Sequence, residues 1–421
     1  MRVDADDFAR PCSCGREHHI DVKEIVIESG AIGKLEEEMS DGDLREYISP
    51  LLICDTNSYK ATEELMEDIY DRCQVLILDA EDLEADERAV EIVENYMEED
   101  IDLVLAVGAG TIHDLSRFVA HQYRIPFVSV PTAASSDGFT STVADMTWNG
   151  VKKAVAASAP LFVFADTDIF AKAPKRLTAA GVSDILGKYI ALADWKIASI
   201  LSKEYYCAEV VNLETKAVRT VKDNLKEIAA GEEEACEKLM YALVLSGLAM
   251  QMTGNSRPAS GAEHHLVHLW DMEVVNGHLD ALHGEKVSGG TMLVLLEYKK
   301  IADAIRRGTC KVHTCTEEDQ ELLKETFGKK GILGALEKEN TPEPLDDVST
   351  RELSDALPRI LKIIDALPAV TDMQEMMNTA GCVSRVRDIG LPGEVIEESL
   401  LLAPYTRRRL SLLRLRKMLT Y

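Results

Sequence analysis

Two domains, an α/β domain followed by an all-α domain, are what this 421-residue sequence predicts. Three observations lead there. The chain is too long for one small core. Residues 24–166 alternate short apolar runs with segments of helical spacing. From about Ala171 onward the strand signals fade and long periodic helices take over. The runs "KEIVIES", "PLLICD", "CQVLILD", "DLVLAVG" and "PFVSVP" read as buried strands, with helical patterns such as "TEELMEDIYDR" and "ADERAVEIVENYMEE" between them. That alternation is the mark of βα units around a mostly parallel sheet. "TVADMTWNGVKKAVAA" reads as a hairpin turning at Asn149-Gly150, and "LFVFAD" adds a strand. The expected domains are residues 1–170, with an N-terminal extension over 1–22, and residues 171–421. In the second, "SDILGKYIALADWKIASILSKEY", "AEVVNLETKAVRTVKDNLKEIAAG" and "EEEACEKLMYALVLSGLAMQMTG" each read as one long helix.

Composition excludes several function classes. Seventy-three acids against 46 bases give a formal charge of −27, a surface that repels nucleic acid and anionic lipid. No run approaches the length of a membrane span, and the acidic start "MRVDADDFARPCSCG" lacks the apolar core of a secretory signal. Nine cysteines scattered from Cys12 to Cys382 do not form a disulfide framework, so a reduced, cytoplasmic protein is expected. The basic C-terminal stretch "YTRRRLSLLRLRKML" is expected to pair with surrounding acids or lie at a subunit contact.

Three strand ends carry nucleotide-like chemistry. Gly108 and Gly110 follow a strand and precede a helix, where a bare backbone can approach phosphate and free N–H groups meet it. "VPTAASSDGFTS" also follows a strand and is rich in hydroxyls. Asp55 ends "LLICD", where a carboxylate can accept both ribose hydroxyls of NAD and would repel a 2′-phosphate. The third glycine of the usual G-x-G-x-x-G fingerprint is missing, and a tight strand-to-helix turn explains the loop equally well.

Five of the ten histidines fall between His264 and His283. His264 and His268, four apart, share a helix face. With His283 and an acid they would form an open site for a borderline divalent ion. Asp184, in "GVSDILGKYIALADW", is the best-placed acid, although an acid favoured by a helix N-terminus is its simpler reading. His265 is expected at the surface and His278 in a loop. Cys12, Cys14, His18 and His19, and likewise Cys310, His313 and Cys315, lack the paired C-x-x-C knuckles of structural zinc and are not expected to bind metal.

In this order, "GAGTIHD", "PTAASSDGFTS", "GVSDILGKYIALADW", "SRPASGAEHHLVH" and "LHGEKV" resemble the sn-glycerol-1-phosphate dehydrogenases. These belong to the superfamily of metal-dependent alcohol, glycerol and dehydroquinate-type enzymes, and "CSCGREHH" resembles the bacterial branch. The resemblance implies a dehydroquinate-synthase-like fold: a Rossmann-like nucleotide domain, then a helical metal-binding domain. It implies NAD, with NADP possible, bound by Asp55, by the loop from Gly108 through Gly110, Thr111, Ile112, His113 and Asp114, by Thr132, Ala133, Ala134 and Ser135, and by Ser141. One divalent ion, nickel or zinc, would be held by Asp184, His264 and His283. Asp137 and His268 would be catalytic and touch substrate, with Asp184 also close to it. The implied reaction interconverts dihydroxyacetone phosphate and glycerol 1-phosphate in a homodimer. Where the family often has histidine before the substrate aspartate, this chain has Ser136. Lys188, Arg257 and Lys286 are the candidate phosphate ligands. The competing readings are a glycerol dehydrogenase or other polyol or alcohol dehydrogenase, a cyclase of the same superfamily, and a non-catalytic nucleotide- or metal-binding protein.

Overall fold

The computed structural model describes the backbone of residues 2–4, residue 8, and residues 11–315 and 320–421. Residues 1, 5–7, 9 and 10 of the expected N-terminal extension lie outside them. Every apolar run quoted above is a strand. These are β2 (Glu24–Glu28), β3 (Pro50–Asp55), β4 (Gln74–Leu78), β5 (Leu103–Gly108), β6 (Phe127–Pro131) and β9 (Phe162–Asp166). They form a parallel sheet in the order β2-β9-β6-β5-β3-β4, and β1 (Arg2–Asp4) adds an antiparallel edge beside β2. The hairpin of β7 (Val143–Trp148) and β8 (Val151–Ala156) turns at Asn149 and Gly150, both with positive φ, as a two-residue turn requires.

Continuous apolar runs are needed because both sheet faces are covered. Leu51, Ile53, Val104 and Ala106 pack in one core with residues of α4 (Glu87–Glu94) and α5 (Gly110–Tyr123). Their alternates Leu52, Cys54, Leu103 and Leu105 pack in the other with α1 (Ala31–Ser40). The short helices α2 (Thr56–Thr62), α3 (Glu67–Tyr70) and α6 (Thr167–Phe170) complete the connections.

After β9 the chain is helical: α7 (Lys175–Leu201), α8 (Ala208–Lys222), α9 (Leu225–Ala230), α10 (Glu233–Thr253), α11 (Ala262–Asp271) and α12 (His283–Arg307), then shorter helices. The segment expected as one helix after Ala208 is two. Asn224 breaks it, its side-chain amide donating to the Thr220 carbonyl at 2.8 Å, a local competition that turns asparagine away from helix interiors. Contacts group the sheet with Asn212–Ser256 in one unit, and Leu186–Val211 with Arg257–Tyr421 in the other. The single helix α7 contributes to both, its residues from Leu186 onward belonging to the second. Among the described residues no helix is long and apolar enough to cross a membrane.

Small residues set how closely α7, α11 and α12 approach. Asp184, Gly187, Ala191 and Asp194 fall on one stripe of α7 by helical periodicity. A Cβ on Gly187 would lie 2.9 Å from Val287, and one on Gly261 would lie 2.8 Å from the Ala191 Cα. Asp194, wholly buried, fastens the group. Its carboxylate accepts from the Ala262 N–H at the start of α11 (2.9 Å), the Tyr298 hydroxyl of α12 (2.7 Å) and the Leu412 N–H (2.9 Å). A Cβ on Gly290 of α12 would sit 2.7 Å from the Glu263 carbonyl oxygen, a backbone atom that cannot swing aside. We expect Gly290→Ala to lower stability by about 1–3 kcal/mol, read as an earlier midpoint in urea unfolding. An unchanged midpoint would mean that α11 and α12 have room between them.

Candidate active site

The loops after β3, β5 and β6 leave the same end of three adjacent parallel strands, the place where open α/β sheets bind ligands. Asp55 closes β3 and caps α2, its Oδ1 accepting from the N–H groups of Asn57 and Ser58 at 2.8 Å each. Gly108 ends β5 with Ile112 filling the side-chain position, since a Cβ there would be 2.7 Å from that residue. Its role is packing. Gly110 opens α5, and Ala109 before it supplies no side-chain cap, so first-turn N–H groups are left for an anion. Thr111 and Asp114 lie in the same first turns, with Asp114 Oδ1 3.7 Å from Arg117. Thr132, Ala133, Ala134 and Ser135 follow β6, and the Thr132 N–H donates to the Gly108 carbonyl at 3.0 Å, joining the two loops.

His113 and Ser141 are turned inward. The His113 ring is wholly buried between the Ala109 carbonyl (2.9 Å) and the Ser129 hydroxyl (2.8 Å). Burial drives its pKa down to about 3, against the hydrogen bond to Ala109. The Ser141 hydroxyl accepts from the Val143 N–H at 2.9 Å. Both shape the loop from within rather than offering a side chain to a ligand. Arg117 does the same, fully buried and donating to the carbonyls of His113 (3.2 Å), Ser141 (2.6 Å) and Gly138.

Asp137 follows in the same loop. Its N–H donates to Asp184 Oδ2 at 3.0 Å, and its own Oδ2 accepts from the Ser246 hydroxyl at 2.8 Å. That hydroxyl also lies 3.0 Å from Glu214 Oε1, so its single proton faces two carboxyl groups. Ser136 faces the start of α5: a Cβ on Gly110 would be 3.0 Å from its hydroxyl.

Asp184, buried on α7, His264 on α11 and His283 opening α12 bring one ligand atom each to within 4.8 Å of one another. The His264 and His283 ring centroids are 5.3 Å apart, and those of His264 and His268 6.4 Å. His264 is oriented by its neighbour. The buried Glu263 carboxylate lies 2.8 Å from its Nδ1 while also accepting from the Gly261 N–H at 2.8 Å. A proton held on Nδ1 leaves the lone pair on Nε2, the nitrogen through which this ring could ligate an ion. His268 Nδ1 is buried with no hydrogen-bond partner among the described residues. Burial, then the charges of Arg407 and Lys152 among others, hold its pKa well below the usual value.

His265 departs from expectation: it is wholly buried, not at the surface. The C-terminal segment covers it, Thr406 reaching its carbonyl at 3.3 Å, and burial together with Arg409, Arg257, Arg414 and Arg407 keeps it neutral. His278 is in a loop, beside Glu273 at 3.1 Å. Two of the candidate phosphate ligands are engaged within the protein: Lys286 by Asp271 at 2.7 Å and Arg257 by Glu204 at 2.8 Å. The basic C-terminal stretch does pair with acids, Arg414 with Glu343 and Arg416 with Glu297.

Residues 26–174 match the iron-containing alcohol dehydrogenase family. Over 402 residues the chain is 34% identical to a glycerol-1-phosphate dehydrogenase (NAD(P)+) of Geobacillus stearothermophilus, covering 93% of this chain and 92% of the relative. The chain belongs to the glycerol-1-phosphate dehydrogenase family. Among solved structures, a putative alcohol dehydrogenase from Ralstonia eutropha is similar with TM-score 0.62 at 14% identity, over 94% of this chain and 91% of that one. Sulfoacetaldehyde reductase from Bifidobacterium kashiwanohense, crystallised with NAD+, is similar with TM-score 0.60 at 14% identity, over 92% of each chain. At that identity the likeness is one of fold, the α/β-plus-helical arrangement expected for the family.

The buried His113 makes acid sensitivity predictable. Its folded pKa lies below the unfolded value of 6.5, so the stability it contributes is complete above pH 6.5 and is lost as pH falls towards about 3. This imidazole alone accounts for a slope of up to about 1.4 kcal/mol per pH unit in that window. His113→Gln is expected to flatten the fall in urea midpoint between pH 6 and 4; an identical slope in the variant would remove His113 as a cause.

Proposed function

We propose that this chain reversibly reduces dihydroxyacetone phosphate to sn-glycerol 1-phosphate, using NAD(P)H and a divalent ion, nickel or zinc, in the cytoplasm. The observation that carries this reading is the meeting of Asp184, His264 and His283 beside Asp137 and His268. The donor set fits such an ion: two imidazoles and one carboxylate leave a coordination position for substrate. Glu263 fixes the His264 tautomer from behind, as ligating histidines require. A bound ion supplies Lewis acidity at the ketone oxygen, and the nicotinamide supplies the hydride.

The chain's own residues do the positioning and the proton handling. The first turn of α5 and the loop after β6 hold the dinucleotide phosphates, and Asp55 meets the ribose with its carboxylate. His268, neutral because it is buried, offers Nδ1 to a substrate hydroxyl. Asp137 accepts from a second hydroxyl, with Ser246 holding its carboxylate in place and giving a route for a proton towards Glu214. The positive field on His268 from Arg407 and Lys152 favours a substrate bearing an anionic group over a neutral ketone. Nine cysteines with no disulfide among them suit a reducing compartment.

NADH oxidation followed at 25 °C with dihydroxyacetone phosphate and with dihydroxyacetone tests the substrate. We expect kcat/KM to favour the phosphorylated ketone by at least about 100-fold, some 2.7 kcal/mol. Preference for the unphosphorylated ketone would make the protein a glycerol dehydrogenase. Chelation should abolish turnover, with nickel or zinc restoring it. His264→Ala should lose the ion held at Asp184, His264 and His283 together with activity, and Glu263→Gln should weaken metal binding at that site by about 10–100-fold, measured by competition with a chromogenic chelator. Full activity in His264→Ala would rule out the proposed ligand set.

A further inference from the structure

A second cluster lies at the opposite end of the sequence from the histidine-rich segment. Cys12 and Cys14 flank a turn closed by the Gly15 N–H donating to the Cys12 carbonyl at 3.1 Å, with Gly15 at φ +80°. His18 follows, buried, and Cys207, also buried, immediately precedes α8. One atom from each of Cys12, Cys14, His18 and Cys207 lies within 4.8 Å of the other three. The Cys14 Sγ to His18 Nε2 distance is 3.5 Å. In a tetrahedral zinc centre, Zn–S and Zn–N bonds of about 2.3 and 2.1 Å put sulfur and nitrogen about 3.6 Å apart.

The imidazole is already set for ligation. His18 Nδ1 lies 2.6 Å from the Met252 carbonyl, which fixes the proton on that nitrogen and leaves the Nε2 lone pair facing the sulfurs. The segment is tied down a second time where the Asp21 N–H donates to Gln251 Oε1 at 2.9 Å. Cys12, Cys14 and Cys207 are all thiols, and an odd number cannot be used up by disulfide pairing.

We propose that Cys12, Cys14, His18 and Cys207 bind a structural zinc ion, separate from the ion at Asp184, His264 and His283. Three thiolates and one imidazole close the coordination sphere and leave no position for substrate, so the ion's role is to clip the N-terminal segment to the start of α8. Binding replaces three thiol protons with one Zn²⁺, and the three soft sulfur donors select zinc over magnesium or calcium.

The test uses the full chain carrying His264→Ala and His283→Ala, which removes the other candidate site. This protein should retain one equivalent of zinc by elemental analysis. With cobalt(II) in place of zinc it should show the intense near-ultraviolet band of thiolate-to-cobalt charge transfer. Adding Cys207→Ser, or separately the more exposed Cys14→Ser, should lower the zinc content at least tenfold under dialysis and remove most of that band. In the otherwise unaltered chain, extracting zinc with a chelator should raise the number of thiols reactive towards an aromatic disulfide reagent by three. No retained zinc in the double-histidine variant, an unchanged cobalt band in both cysteine variants, or a disulfide among these three cysteines after purification in reductant would each overturn the proposal.

Discussion

A single buried carboxylate, Asp194, governs whether the histidines can meet. It takes a hydrogen bond from the first N–H of α11, another from a hydroxyl on α12 and a third from the chain's C-terminal segment. Burial raises its pKa to about 6, even against the lowering effect of the Leu412 N–H and the Tyr298 hydroxyl. An unsolvated carboxylate with fewer donors would be costly, so the three partners hold one another in a single arrangement. Asp194 shares its α7 stripe with Asp184 by helical periodicity. The glycines at the crossings let backbone meet backbone, so the ligand atoms are placed by helices rather than by mobile loops.

Two of the buried histidines, His113 and His268, differ in what surrounds them. His113 is satisfied on both nitrogens and is a structural strut. His268 is buried with Nδ1 unclaimed among the described residues, and the charges of Arg407 and Lys152 add to desolvation in lowering its pKa. That environment withholds a proton from the ring while leaving it chemically available, which is the condition for work on a bound hydroxyl. Both rings have lowered pKa values from desolvation, so the availability of Nδ1, not the shift, distinguishes them.

Much of the fold was legible because its signals are local. A strand covered on both faces must be apolar throughout, and β2 to β6 and β9 all announce themselves that way. The Asn149-Gly150 turn is written in two residues. That Asp184, His264 and His283 come together is foreshadowed by motif order, although spacing alone leaves Asp184 open to a simpler reading. What stayed hidden depends on distant chain. His265 looked like a surface residue because its cover comes from a segment about 140 positions later. Cys207 has no neighbour in sequence to suggest Cys12 or Cys14, and the absence of C-x-x-C knuckles pointed away from a cluster that forms across almost two hundred residues. The break at Asn224 was the exception: a local signal overlooked beneath good helical periodicity.

Arg117 has one more consequence. Each of its hydrogen bonds into the loop after β6 ends on a main-chain oxygen, at Gly138, Ser141 and Val143. Much of the loop's path is therefore held through its main chain, which leaves a side chain such as Ser136 less bound to shaping it. Another side chain can stand at Ser136 without the path changing. A frame held this way tolerates an exchange of the side chain at that position while the strands and helix beneath stay put.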